Sequence, residues 1–284
     1  MLPWALAIAL IISAMEQNMN DYDHDDLADF KNRIGFSTLA TMSASDGVRA
    51  NWDELPTVLS GIVKGKRNDL NQVNSTQSGL GTRDFGWKDK ETYLSIDIYV
   101  SGIGPAGARQ AFLSRASATT MVKIPYERRP KPLGDLAIHD PHSPSQILMW
   151  VYRNVFVSVC NDGTSFDVEP VAQTIQRFME AHKVNRLTDH LPVVDQVKVS
   201  ANEIHVGDEF QVSIVLGKHT PLDSVMTDFE QALEHKLELV TSRPLMASYK
   251  AKIPGQTYIE IRVMDRKTLL SPPLSVPINV LPAR

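Results

Sequence analysis

The feature that most constrains this chain is a change of texture at Leu191-Pro192. Downstream, apolar and polar residues alternate in short runs: Val197–Val206, Glu209–Val215, Leu237–Val240, Ala247–Ala251, Thr257–Met264 and Leu274–Val280. Gly207-Asp208 and Pro254-Gly255 lie between runs, where turns are needed. Roughly seven short strands punctuated by turn residues specify two packed antiparallel sheets, a β-sandwich. The stretch Ser224–Glu234 reads as a short helical insertion. Upstream of the join, helical and strand patterns intermix. With 284 residues, two domains fit better than one. The expected organisation is a leader over residues 1–14, a mixed sheet-plus-helix domain over 15–185, and a sandwich over 192–284. The fold class is α+β.

The leader, Leu2–Ala14, is apolar except for Ser13 and carries no charge. It is shorter than the roughly 20 residues a membrane-spanning helix needs and suits the core of a secretory signal peptide. Ile12-Ser13-Ala14 places cleavage just after Ala14. The preceding residues hold no Lys or Arg, so an amphiphilic leader, or a mis-assigned start followed by a buried helix, stays open. With the leader removed, no stable membrane span is expected, and the chain reads as extracytoplasmic, periplasmic or secreted. The single cysteine, Cys160, excludes an intramolecular disulfide framework, a CxxC redox motif and a multi-cysteine zinc site. At the end of a β-rich run, it reads as a small buried hydrophobe. A net charge of −4 gives no bulk attraction to nucleic acid. Asp21, Asp23, Asp25 and Asp26 suggest calcium, but the sixth loop position is Asp26 where the EF-hand needs Gly. They read instead as a solvated tail leading into a helix.

Residues 26–70 look helical with breaks, with Trp52, Leu55, Val58, Leu59 and Ile62 at helical spacing. The polar stretch from Lys64 to Asp84 reads as a long loop or mobile surface segment, with Asn74-Ser75-Thr76 a formal glycosylation sequon. In Tyr93–Ser101, Leu94, Ile96, Ile98 and Val100 share one face, with Ser95, Asp97 and Tyr99 on the other. That alternation predicts a half-buried strand in a sheet covered on one side. A helix over Pro105–Ala116 follows, then strands near Met121–Pro125 and Leu136–His139. Ile147–Tyr152 and Val155–Cys160 flank Arg153-Asn154 as a hairpin. A helix opens near Asp167 with Val171, Ile175, Phe178 and Met179 as its buried stripe.

One motif resembles a cofactor fingerprint. Gly102-Ile-Gly104-Pro-Ala-Gly107 is a GxGxxG between a strand and a helix, with Glu127 twenty residues on and Arg128 and Arg129 beside it. The physics opposes a dinucleotide. The strand alternates, a hairpin follows instead of crossovers, and Pro105 removes an N–H that a pyrophosphate would need. A glycine-rich turn is expected. His139-Asp140-Pro141-His142 offers two imidazoles and a carboxylate, but Pro141 makes it a turn between strands. A cleft gathering His139, His142 and a carboxylate would favour a hydrolase. Exposed Trp87, Tyr126 or Tyr152 could mark a contact surface, although such aromatics usually belong to cores. No catalytic, cofactor-binding or metal residue is assigned, and no cofactor is expected.

The runs VKVSANEIHVGDEFQVSIV and KIPGQTYIEIRVMDRKTLLSPPLSVPINV resemble the opening and closing strands of immunoglobulin-like modules in exported bacterial proteins. The resemblance covers about the last 90 residues. It departs from the antibody pattern in having neither Cys nor Trp there. It implies a spacer, stalk or protein-contact role with no catalytic residues to carry over. The resulting expectation is an exported, non-enzymatic protein that binds an unknown protein or surface ligand through its α+β domain. The alternative is an extracytoplasmic hydrolase with that domain catalytic.

Overall fold

The computed structural model describes residues 27–41, 46–67, 73–75, 80–102, 104–118, 124–143, 146–163, 166–201, 203–218, 220, 226–231, 235–265 and 267–284, with 40–41, 73–75 and 226–231 described by backbone alone. The leader and the Asp21–Asp26 run lie outside the described residues.

The first region is an eight-stranded antiparallel sheet with helices on both faces, beside a separate two-stranded pair. A helix α1 (27–34) and a 3-10 turn (Phe36–Thr41) lead to β1 (Gly47–Val48). Trp52–Glu54 and α2 (Leu55–Leu59) form one compact turn of chain, far less helix than the spacing predicts. Trp52, Leu55 and Leu59 are buried, but Val58 is 42% exposed. The polar segment expected to be a loop contains three strands, β2 (Lys66–Arg67), β3 (Val73–Ser75) and β4 (Leu80–Asp89). Glycines 81 and 86 and the pair Arg83-Asp84 hide β4 from a hydropathy reading.

The predicted strand is β5 (Thr92–Ser101), and the helix after it is α3 (Pro105–Ser117). Proline supplies the first helical φ, and Gly104 precedes it at φ 87°, a left-handed setting that favours glycine. The strand expected near Met121–Pro125 is absent among the described residues there; Ile124 and Pro125 belong to no regular element, and β6 (Glu127–Arg128) comes two residues later. β7 (Leu136–His139) matches its prediction. The hairpin is β8 (Ile147–Tyr152) and β9 (Val155–Asn161), with Arg153 at φ 55° in the turn. In α4 (Val168–Ala181), Asp167 caps the first turn by accepting from Glu169 N–H, as its short polar side chain favours. β10 (Lys183–Val184) pairs with β1.

The sheet order is β2-β4-β5-β9-β8-β7-β6, with β3 also paired to β4. Leu94, Ile96, Ile98 and Val100 of β5 pack with Val155, Val157 and Val159 of β9, Trp150 of β8 and the apolar stripe of α4. On the opposite face, Phe156, Met149 and Ile138 pack with Phe112, Leu113 and Ala116 of α3 and Phe30 of α1. The sheet is therefore covered on both sides, not one. Helix α3 lies over the face that β5 lines with polar residues.

Among the described residues, the regular elements of the second region are strands: β11 (Val194–Val199), β12 (Ile204–His205), β13 (Glu209–Leu216), β14 (Met226–Gln231), β15 (Leu237–Arg243), β16 (Met246–Ala251), β17 (Gly255–Met264) and β18 (Leu274–Leu281). They form two four-stranded sheets, β11-β13-β16-β15 and β12-β18-β17-β14. The expected helical insertion at Ser224–Glu234 is wrong over its described part. Residues Met226–Gln231 are β14, held in antiparallel register with β17 from Met226↔Met264 to Gln231↔Ile259. Local helical spacing yields there to an available strand edge. Phe210, Val212, Ile214, Tyr249, Ile259, Ile261 and Ile278 fill the space between the sheets.

The two regions meet through the turn between β17 and β18. Leu269 is fully buried and belongs to the apolar cluster of the first region. Asp265 shapes the turn by accepting from Lys267 N–H (2.9 Å) and Leu269 N–H (3.0 Å), and its other oxygen faces Arg49 at 3.5 Å. Arg83, 4% exposed, donates from Nε to Thr268 Oγ1 at 3.2 Å and pairs with Asp53 at 3.3 Å. Glycines receive the turn: a Cβ on Gly81 would lie 2.3 Å from Thr268 O, and one on Gly102 2.2 Å from Leu270 O.

Candidate functional site

The α3-covered face of the sheet carries an unusual polar row. Register places Asp84 of β4 directly opposite Asp97 of β5, and Asp97 directly opposite Ser158 of β9. Like charges opposed across strands destabilise a sheet. Among the described residues, Asp97 has one cationic neighbour, Arg115 from the last turn of α3, at 3.8 Å. Asp84 has neither an ion pair nor a side-chain hydrogen bond among the described residues, and Ser158, 3% exposed, has no side-chain hydrogen bond among them. The hydroxyl oxygen of Tyr93, on the same face, is buried without a partner among the described residues.

The electrostatics follow. Burial raises the Asp97 carboxyl to about 6, the negative charge of Asp84 adds to the rise, and Arg115 opposes it. Burial also raises Asp84. Tyr93 is raised by burial and then by the nearby carboxylates of Asp97, Asp162 and Asp84. Cys160, expected to be a buried hydrophobe, is only half-buried; burial and then Asp97 raise its thiol, which disfavours the thiolate. A carboxyl shifted by desolvation and a like charge marks a candidate site.

A second candidate lies at the β6–β7 end of the sheet. Two adjoining grooves, of about 380 and 360 Å³, share Arg129, Pro130 and Lys131. Asp135 lines one; His139, Asp167 and Glu169 line the other. The carboxylates of the second groove are committed. Asp167 caps α4, while Glu169 pairs with Arg129 and accepts from Gln173 Nε2 at 2.6 Å. Those hydrogen bonds hold Glu169 below the ordinary range against the opposing effect of burial. Arg128 and Lys131 have no ion-pair partner among the described residues.

The motifs read from sequence distribute as follows. The GxGxxG turn ends a strand flanked on both sides by antiparallel neighbours, β4 and β9. That is not the parallel unit a dinucleotide fingerprint requires, and Gly102 is occupied in receiving Leu270. His139 lines the groove with Asp167 and Glu169, and its buried Nδ1 has no partner. His142 lies in the exposed turn after β7, where Asp140 Oδ1 accepts from its N–H at 2.9 Å. The structure thus leaves His139 and His142 in different places, and no group of three or more His, Cys, Asp or Glu residues is set to hold a metal among the described residues. Trp87 and Tyr152 are core, at 5% and 8% exposure, and Tyr126 is half-buried. Asn74 and Ser75 lie in β3, while Thr76 lies outside the described residues. Asp84 was hidden in a segment read as loop. Asp97 was visible as a charge in mid-strand, a signal that could have identified it.

No helix among the described residues is long and apolar enough to cross a membrane. No protein-family model matches the chain, and no curated protein matches it. Among solved structures, the chain is similar to a gamma-CGTASE from Alkalophilic bacillus clarkii, at 12% identity and a TM-score of 0.18, over 76% of this chain. The chain spans a quarter of that protein, 25% of its length. A match at that TM-score carries no conclusion about fold or function.

Proposed function

We propose that this is an exported, non-enzymatic binding protein, acting in the periplasm or outside the cell. Its α+β domain, residues 15–185, makes the contact, and residues 192–284 form an immunoglobulin-like accessory module. The observation that carries the binding reading is the pair of grooves around Arg129–Lys131. Arg128 and Lys131 supply cationic charge, Asp135 is turned to the Arg153 N–H, and the carboxylates beside His139 are spent on a helix cap and an ion pair. Such a site suits a carboxylate, phosphate or sulfate group on a protein or surface component better than proton transfer. Support for the immunoglobulin-like reading is the strand order. Taken as A, B, C, D, E, F and G, β11, β13, β14, β15, β16, β17 and β18 give an ABED sheet and a CFG sheet, with β12 beside the last strand.

The test is fluorescence anisotropy with labelled poly-glutamate and poly-lysine at low and moderate salt. The expected result is poly-glutamate binding that weakens with salt and is lost in a variant carrying Arg128→Glu and Lys131→Glu. Equal binding of both polymers, or unchanged binding by the variant, would remove the groove from the proposal.

A further inference from the structure

The row Asp84–Asp97–Ser158 does not belong to the anion groove. It carries charge of the opposite sign, on the sheet face beneath α3. Four oxygen-bearing side chains of this face are poorly satisfied. The two carboxylates share one ion pair, and that only at 3.8 Å. The Ser158 hydroxyl, in a residue 3% exposed, has no partner among the described residues. The Tyr93 hydroxyl is also buried and unpaired among them. Buried polar groups are normally hydrogen-bonded, so a buried, unpaired Tyr93 hydroxyl on the face that carries two opposed carboxylates and an unbonded serine indicates an absent electropositive partner. Neither hydroxyl explains the carboxylates. Each is an independent sign that the space beside them takes a ligand.

We propose that Asp84 and Asp97, with the Ser158 hydroxyl, form a binding site for a hard divalent cation. The donors are all oxygen, which suits Mg²⁺, Ca²⁺ or Mn²⁺ and disfavours metals that select thiolate or imidazole. Two protein carboxylates with water in the remaining positions is a common arrangement for Mg²⁺. The side chain of Asp97 is 22% exposed, so the cation can keep part of its water shell. A cation between the carboxylates turns the cross-strand repulsion into attraction through a shared ion. Arg115 is the competitor. Its side chain is 54% exposed and can swing to solvent when the cation enters.

The experiment uses the purified chain stripped with a chelator and titrated at neutral pH with MgCl₂, CaCl₂ and MnCl₂. Calorimetry and thermal unfolding are the readouts, with KCl at matched ionic strength as control. At least one cation should give a saturable one-site heat and a rise in unfolding midpoint that KCl does not reproduce. Asp84→Asn and Asp97→Asn should each weaken binding by at least about tenfold, and Arg115→Ala should tighten it. Both Asn variants are expected to fold, because a neutral amide removes the repulsion; near-ultraviolet circular dichroism checks this. The absence of a saturable heat overturns the proposal. So does a heat that persists unchanged when both aspartates are replaced, which would place the cation elsewhere, for example on Asp21–Asp26.

Discussion

The two faces of the eight-stranded sheet are made from the same strands, and each carries an apolar cluster, but only one of them also buries a row of charge. On the α4 face, β5 and β9 contribute Leu94, Ile96, Ile98, Val100, Val155, Val157 and Val159, all fully buried. On the α3 face the same strands contribute Ser95, Asp97, Ser158 and Cys160, opposite Asp84 of β4. The first face holds the molecule together, since each fully buried aliphatic side chain contributes about 1.5–3 kcal/mol. The second has its own apolar cluster around Phe156, Met149 and Phe112, but its polar row costs stability, because it desolvates charge without matching it. A fold that tolerates such a cost next to a well-packed face has placed a polar task there.

Five substitutions test that contrast. The largest effect belongs to Trp150→Ala. Trp150 is fully buried and donates from Nε1 to Gln176 Oε1 at 3.1 Å, so denaturant unfolding should show a loss of about 3–5 kcal/mol. A loss below 1 kcal/mol would show that the α4 face is not the stabilising one.

Leu269→Ala comes next, at about 2–4 kcal/mol. All four tryptophans lie before residue 192, so their fluorescence reports the first region. If Leu269 completes the α4-face core, this distant substitution must move the tryptophan-monitored transition. An unmoved transition would separate the two regions.

Asp97→Asn should stabilise the chain at neutral pH by about 1–2 kcal/mol in chelator. The sign follows from linkage. The folded value of about 6 lies above the ordinary 3.8, so the folded state binds the proton more tightly. That contribution is complete below the ordinary value and is lost as pH rises through about 6. Stability of the parent chain should therefore fall between mildly acid and neutral pH. The variant should show a flatter profile over the same window. Asp84, Asp135 and Asp265 are also raised mainly by burial and add a slope of the same sign. A parent profile that rises towards neutral pH would contradict the assignment.

The smallest effect is expected for Ser158→Ala, within about 0.5 kcal/mol in the absence of divalent ions. Removing a hydroxyl that makes no side-chain hydrogen bond among the described residues has little to lose. The adjacent Val157→Thr, one step along β9 on the other face, should cost about 1–3 kcal/mol by burying a hydroxyl among apolar groups. Equal effects at the two positions would erase the distinction between the faces.

Much of the frame was legible in the sequence, and the reasons can be located. Alternation in β5, the hairpin of β8 and β9, and the Asp167 cap of α4 are local signals, each contained within a dozen residues. β4 was not legible, because Arg83 is in the strand to reach Thr268 and Asp53, and Gly81 is there to admit Thr268. Those are contacts made across long sequence separations. β14 was missed for a related reason, since its pairing with β17 outweighs a helical local pattern. The sequence displayed Asp97 but not its opposition to Asp84, which register alone supplies. The grooves were equally hidden, because Lys131 and Glu169 become neighbours only when α4 docks on the sheet.

The turn carrying Thr268 and Leu270 also sets a limit on portability. It rests on Gly81 and Gly102, and nothing larger than hydrogen fits at either place. A C-terminal cassette taken from another protein would have to match that pair of glycines as well as the chain ends. Homologous recombination at the Leu191-Pro192 join would therefore give chimeras in which an exposed glycine seat faces a turn of the wrong shape. The halves look interchangeable when read along the chain, but the glycine seat on one is cut to the turn of the other.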